Sequence, residues 1–252
     1  GWDSIDPNNI TTLAGSNQTN EIRLTWTTPA AASDGDVPTR YLVYRSSSLP
    51  VRLYWANLVN KSFDVLGTTF IDSGATGLTS GNWYYRVVPV DEYNNKADSN
   101  VIGPISVTIP STIVESRTGG QNFAAYSEVS GDWNDSSTKS TAPGVSGAAI
   151  GSRYCTMTTR NDVVRFTPTT LVSGANYYDI AYTTNGFSST DAPNATWRVT
   201  TASGVQTGTF DVIPSTTGNQ WLTIGRFLLD SATARLEVDS STVTTTTVNN
   251  RL

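Results

Sequence analysis

SGNWYYRVVPV, residues Ser80 to Val90, is aromatic and β-branched almost throughout and stops at Asp91. Residues of that kind fit a pleated, half-buried surface better than a helix. The same pattern recurs on either side. Ile22, Leu24 and Trp26 alternate with Glu21, Arg23 and Thr25, and Tyr41 to Arg45 (YLVYR) forms another short run. Gly, Pro, Asn, Asp and Ser break the runs every few residues, as turns between strands require. Only Val51 to Leu58 (VRLYWANL) suits a short helical turn. The chain therefore reads as all-β.

Composition removes several classes of function. The chain has 252 residues, of which 15% are charged against a globular average of about 25%. Seven Trp, eleven Tyr and seven Phe supply enough core material to exclude charge-driven disorder. A formal charge of −5 disfavours nucleic acid as a partner. No apolar run reaches the ~18 residues of a membrane helix, so no membrane insertion is expected. No signal peptide stands at Gly1, so the chain is expected to begin after any processing. The absence of His removes Ser-His-Asp and Cys-His arrangements and the commonest metal ligand. A single cysteine, Cys155, excludes an internal disulfide and a Cys-cluster zinc site; it reads as a buried small hydrophobe. The 67 Thr and Ser residues, with only three Lys, suit a secreted or surface protein of a bacterium or archaeon.

The length allows two ordinary domains. Ile109-Pro-Ser-Thr-Ile113 has the Pro and small polar residues of a linker. The boundary falls near residue 111, giving domains 1–110 and 111–252.

Within residues 6–110 the motifs together resemble a fibronectin type III domain. Ile22-Arg-Leu-Thr-Trp26 stands for the second strand with its core Trp, and Tyr41-Leu-Val-Tyr-Arg45 for the third. Thr69-Phe-Ile-Asp72 stands for the short strand ending in Asp, and Asp91-Glu-Tyr-Asn-Asn95 for the turn after the long strand. Trp83 departs from the family's usual Tyr, and Asn94 from its turn Gly; Asn tolerates a positive φ. The resemblance implies a seven-stranded antiparallel sandwich acting as a spacer or protein-contact module.

Residues 113–252 resemble the golvesin or xanthan-lyase C-terminal type of domain. The resemblance rests on Gly131-Asp-Trp-Asn-Asp-Ser136, Gly174 to Tyr182, Ala195-Thr-Trp-Arg-Val199 and Asn219 to Phe227. At the C-terminus, Val248-Asn-Asn-Arg-Leu252 departs from the family's Ala-Asp-Ala. The resemblance implies a jelly-roll-like β-sandwich associated with carbohydrate binding. The whole is then two tandem antiparallel β-sandwiches. Strand alternation places Ala195, Trp197 and Val199 on one face, with Trp197 in the core; Trp221 also reads as core.

Sugar recognition needs flat apolar faces with planar amides or carboxylates beside them. The best local candidate is Trp133, Asn134 and Asp135, with Tyr126 and Tyr154 nearby in sequence. Trp133 has two readings, as a ligand platform or as a plug at one end of the sandwich. Tyr54 and Trp55 form a second aromatic candidate, for sugar, for protein contact or as cover for the open edge of the sheet, and are read as contact or cover. Asp34, Asp36, Asp132 and Asp135 offer hard oxygen ligands, but none lies in a complete calcium loop. The expectation is no cofactor, with calcium the one ion these loops suit. No motif selects a catalytic carboxylate pair, so no enzyme is expected.

Two functions follow. One is a non-catalytic extracellular or cell-surface protein that attaches to polysaccharide through its second domain. The alternative is a structural subunit of a filament, pilus or surface layer, whose partners are other copies of itself or surface proteins.

Overall fold

A computed structural model of the chain describes residues 3–146, 150–155, 160–183, 194–211 and 219–243. The C-terminal stretch Val248–Leu252 lies outside the described residues. The protein is all-β, with antiparallel strand pairs throughout. It divides into two compact units, Gly1–Ile109 and Pro110–Leu252.

The first unit has six strands: β1 Ala14–Gln18, β2 Glu21–Thr25, β3 Arg40–Ser46, β4 Thr69–Asp72, β5 Gly81–Val90 and β6 Ile102–Val107. They form two three-stranded sheets, β1-β2-β4 and β3-β5-β6. The core lies between them. Ile22, Leu24 and Phe70 come from one sheet; Tyr41, Val43, Tyr85 and Val87 come from the other. Trp26 meets Tyr41 edge-on, ring centroids 5.1 Å apart. A seven-stranded sandwich differs from this at one place: residues 58–65 make only isolated bridges, Leu58 to Tyr44 and Val65 to Tyr41. Val51 and Leu58 close over Tyr44, Val88 and Val90 on the outer face of the β3–β5 pair. The buried amide of Asn60 holds this irregular segment. Its Oδ1 accepts from Val43 N at 2.8 Å, and its Nδ2 donates to Tyr41 O at 3.0 Å. After β5, Asp91 Oδ1 accepts from the amides of Tyr93 and Asn95. Asn94 takes φ 71°, the left-handed conformation that Asn tolerates.

Two carboxylates of this unit, Asp72 and Asp91, are fully buried, and Asp72 lies between the sheets. Arg45 Nη1 donates to its carboxylate at 2.8 Å, Tyr85 Oη donates to Oδ2 at 2.6 Å, and Thr76 Oγ1 donates to Oδ1 at 2.5 Å. A buried charge is tolerated only when it is paired and hydrogen-bonded in this way. Burial, reinforced by the Asp72 charge, pushes the Tyr85 phenol far above its ordinary range, so Tyr85 remains a donor. The cluster ties β4 of one sheet to β3 and β5 of the other.

The second unit contains β7 Tyr126–Ser130, β8 Trp133–Ser136, β9 Ser152–Cys155, β10 Val163–Phe166, β11 Ala175–Tyr182, β12 Ala195–Thr201, β13 Gly204–Phe210, β14 Leu222–Asp230 and β15 Arg235–Asp239. Five of them form a sheet in the order β13-β12-β15-β10-β7; β11-β14 and β8-β9 are two-stranded. Aromatic pairs join β11-β14 to the large sheet. Trp197 meets Phe227 at 5.6 Å and Tyr182 meets Phe210 at 4.6 Å, both edge-to-face. Trp197 lies over its cross-strand neighbour Gly208, where a Cβ would come within 2.4 Å of the indole. Only glycine leaves room for that ring. Trp221, expected in the core, is instead 38% exposed, its indole N–H donating to Pro143 O at 2.9 Å.

Truncating Asp72 leaves a partly buried guanidinium and a buried phenol without their acceptor. Asp72→Ala is expected to cost about 3–5 kcal/mol, the usual penalty for breaking a buried pair. Tyr85→Phe, which removes one charge-assisted bond, should cost about 1.5–3 kcal/mol. Urea unfolding of the two variants measures both; a loss below about 1 kcal/mol for Asp72→Ala would remove the cluster from its structural role.

Candidate functional site

The chain leaves β7 at Ser130 and enters β8 through Gly131, which has φ +98°. A Cβ there would fall 2.3 Å from Asp162 Oδ1, so both conformation and space require glycine. β8 then pairs with β9 in a register that sets Trp133 opposite Cys155, Asn134 opposite Tyr154 and Asp135 opposite Arg153. Alternation along the strands puts these pairs on two faces.

Trp133 and Cys155 share the inner face. Cys155 is fully buried, and Trp133 packs against a core cluster that contains Tyr126, Val164 and Val238. The Trp133 indole N–H donates to Ser130 O at 2.7 Å, closing the turn that Gly131 opens. Further along this face, Asp135 and Arg153 belong to an ionic array. Arg153 Nε donates to Glu128 Oε1 at 2.6 Å, its Nη2 donates to Trp133 O at 2.9 Å, and its Nη1 pairs with Asp135. Arg117 adds a second guanidinium, 3.4 Å from Asp135 Oδ2. The hydrogen bonds that Arg153 donates to Glu128, and then to Asp135, hold it firmly in its charged form. Asp135 keeps 63% of its side chain exposed.

Asn134 and Tyr154 occupy the opposite face of the ladder. Asn134 is exposed and Tyr154 half-buried. An amide and an aromatic ring thus stand side by side across two strands, where side chains directly opposite lie within about 5 Å at Cβ.

The five residues grouped by sequence therefore separate. Trp133 and Asp135 lie on one face, Asn134 and Tyr154 on the other. Tyr126, grouped by sequence with the ligand faces, is buried: its ring packs on Phe166 at 5.4 Å, and only its hydroxyl reaches Glu128. The physical reason is its position in β7, which turns the ring into the core. Burial, with the nearby Glu128 charge, pushes its phenol well above the ordinary range. Glu128 and Arg117 carry no local motif. They reach the site only through strand pairing and could not be read from their sequence neighbours.

In the first unit, Tyr54 and Trp55 are 59% and 67% exposed. Trp55 opens a single 3₁₀ turn, Trp55–Asn57. Val51 and Leu58, rather than these aromatics, cover the sheet.

Asp34 and Asp36 meet Asp3, with one carboxylate oxygen from each lying within 4.8 Å of the others. Partial loss of hydration and the charges of Asp34 and Asp3 push the Asp36 carboxyl upward. Three carboxylates, one exposed and two half-buried, fall short of the six to eight oxygens calcium takes, and surface acids often gather without an ion. Asp132 and Asp135 join no group of three such acids among the described residues.

No family model matches the chain, and no curated protein matches it. Among solved structures, it is similar to Paenibacillus xanthan lyase, at 16% identity over 99% of this chain and 25% of the lyase, with a TM-score of 0.41. It is similar to the pectate lyase PelI of Erwinia chrysanthemi, solved with tetragalacturonic acid, at 22% identity over 41% of this chain and 32% of the lyase, with a TM-score of 0.28. It is also similar to the FN1–FN3 domains of chicken CNTN1, at 10% identity over 95% of this chain and 65% of that one, with a TM-score of 0.31. The chain thus spans less than two thirds of the length of each of them. The site is read from its own geometry.

That geometry makes Trp133 a packing residue tied by its indole N–H to Ser130 O. Trp133→Ala should cost stability toward the lower end of the ~3–5 kcal/mol typical of buried Trp truncation. Trp133→Phe should cost about 1 kcal/mol through loss of the Ser130 bond. Thermal melting separates the two; an unchanged midpoint for Trp133→Ala would take its ring out of the packing.

Proposed function

We propose that the protein is a non-catalytic extracellular or cell-surface attachment protein that holds polysaccharide through its second, golvesin-like unit, with the first, fibronectin type III-like unit as spacer. The observation that carries this reading is the β8–β9 ladder. Asn134 and Tyr154 stand together on one face, while the exposed Asp135 carboxylate belongs to the other face with Arg153. An aromatic ring beside an amide matches the apolar C–H side of a pyranose and its hydroxyls. Tyr126 and Trp133 serve as the packed support beneath. The ladder is held by Arg153 and by glycine-restricted turns, so little ordering cost falls on binding. Glu128 and Asp135 both spend oxygens on Arg153, which suits a rigid contact surface better than a general acid–base pair. Calcium has no part in this reading.

A second reading, a subunit of an extracellular assembly, is favoured by one feature. β13 is an edge strand of seven residues, GVQTGTF, with no charge and with Val205 57% exposed. Among the described residues it pairs only with β12. Such an edge is a ready template for a strand from another copy.

The test is affinity electrophoresis of the full chain through a panel of soluble polysaccharides. Tyr154→Ala is expected to weaken binding about tenfold, as loss of a stacking ring does. Asn134→Ala should weaken it a few-fold, and Tyr154→Phe should bind as wild type. If wild type binds no polysaccharide and forms multimers that Val205→Lys disperses, the subunit reading replaces this one.

A further inference from the structure

The first unit carries a second polar cleft, independent of the β8–β9 ladder. It has a volume of about 360 Å³ and is lined by Arg45, Ser46, Ser47, Asn57, Lys61 and Trp83, among others. That volume falls in the range of small-ligand sites, roughly 300–1,000 Å³. Its walls are fixed. Arg45 is clamped by the buried Asp72, donates to Gly77 O at 3.1 Å and lies 4.8 Å from the Trp83 ring centroid. The Trp83 indole N–H is in turn held by Thr79 O at 2.9 Å.

Trp55 does not itself line the cleft but adjoins it through Lys61, a lining residue whose ammonium faces its ring. Its turn is held by Leu58 N donating to Trp55 O at 3.2 Å and by Asn57 Nδ2 donating to Arg52 O at 2.9 Å. The backbone beneath the ring is therefore fixed, and the ring itself is exposed. Lys61 Nζ lies 5.8 Å from its centroid.

The charge at the cleft is one-sided. Its lining includes two cations and no carboxylate, in a chain whose formal charge is −5. Arg45 is neutralised by Asp72, so the net positive charge belongs to Lys61, which makes no ion pair among the described residues. The other polar side chains are hydroxyls and an amide, set among Ala56, Leu58, Val59 and Trp83. An apolar protein face would leave these polar groups unpaired. A phosphate would meet one ammonium without the forked guanidinium or cluster of backbone amides that usually holds it.

We infer that this cleft is a subsite for a carboxylated sugar: a uronate ring stacks on Trp55, its carboxylate pairs with Lys61, and its hydroxyls meet Ser46, Ser47 and Asn57. The inference does not need the second unit to bind anything.

The test titrates the full chain with a β-1,4-linked glucuronate hexamer and, separately, with the neutral glucose hexamer of the same linkage, following backbone amide resonances. Amides of residues 45–61 report this cleft; those of 133–136 and 152–155 report the ladder. The expected result is saturable movement at 45–61, at least about tenfold tighter for the uronate. Trp55→Ala should weaken it at least about tenfold. Lys61→Gln should reduce the uronate preference to within about threefold, and added salt should do the same. Both side chains are exposed, so the melting temperature should hold. The inference is overturned if 45–61 stay still at millimolar uronate, if Lys61→Gln keeps the preference, or if a glutamate hexapeptide binds there equally well. Movement confined to the ladder would also overturn it while leaving the second-unit reading in place.

Discussion

Asp72 is a carboxylate with no access to water, and the first unit is organised around keeping it satisfied. Three donors from separate segments converge on it: Arg45 from β3, Tyr85 from β5 and Thr76 from the turn after β4. No single strand pairing supplies all three, so the carboxylate fixes how the two sheets meet. The same constraint extends outward. With one end held by Asp72, the Arg45 guanidinium lies beside Trp83 and forms a wall of the polar cleft. An interior electrostatic requirement thereby sets the shape of a surface feature.

In the second unit Arg153 plays the comparable part nearer the surface. It joins Glu128 of β7, Asp135 of β8 and the carbonyl of Trp133. This array sits between the packed aromatics of the core and the solvent-facing rim of the ladder. Apolar packing supplies the depth: Trp197 over Gly208 and against Phe227, and Tyr126 against Phe166. Exposed ion pairs add little stability by themselves. Their effect here is positional, since they limit how Asp135 and the neighbouring ladder residues can move.

Much of the first unit was legible because β2 alternates and β3 and β5 are rich in aromatic and β-branched residues. Ile22 and Leu24 are fully buried and alternate with more exposed Glu21, Arg23 and Thr25. Tyr41 and Val43 are buried beside half-buried Arg40 and Leu42, but Tyr44 is buried too, on the sheet's other face. Asn94 takes the positive φ its side chain tolerates, and the VRLYWANL stretch yields one 3₁₀ turn, Trp55–Asn57. A seventh strand was not legible as missing, because the bonds of Asn60 that replace it are long-range. The candidate site was legible in part. Asn134 and Tyr154 were grouped from composition, but only the β8–β9 register reveals that they share a face which Trp133 does not. Tyr126 sits in a short polar strand whose inward face depends on β10, nearly forty residues away. Glu128, Arg117 and Lys61 have no sequence signature at all; distance in the chain hides them. Trp221 was misjudged because its apolar neighbours suggest two-sided burial, while the indole in fact caps Pro143 at the surface.

The central claim is that these surfaces hold polysaccharide without altering it. The most direct measurement is polymer length, by light scattering on a sizing column, after prolonged incubation of a bound polysaccharide with the pure chain. The account predicts co-elution of protein and polymer with an unchanged polymer mass. A falling polymer mass, lost on substitution of a single carboxylate, would contradict it.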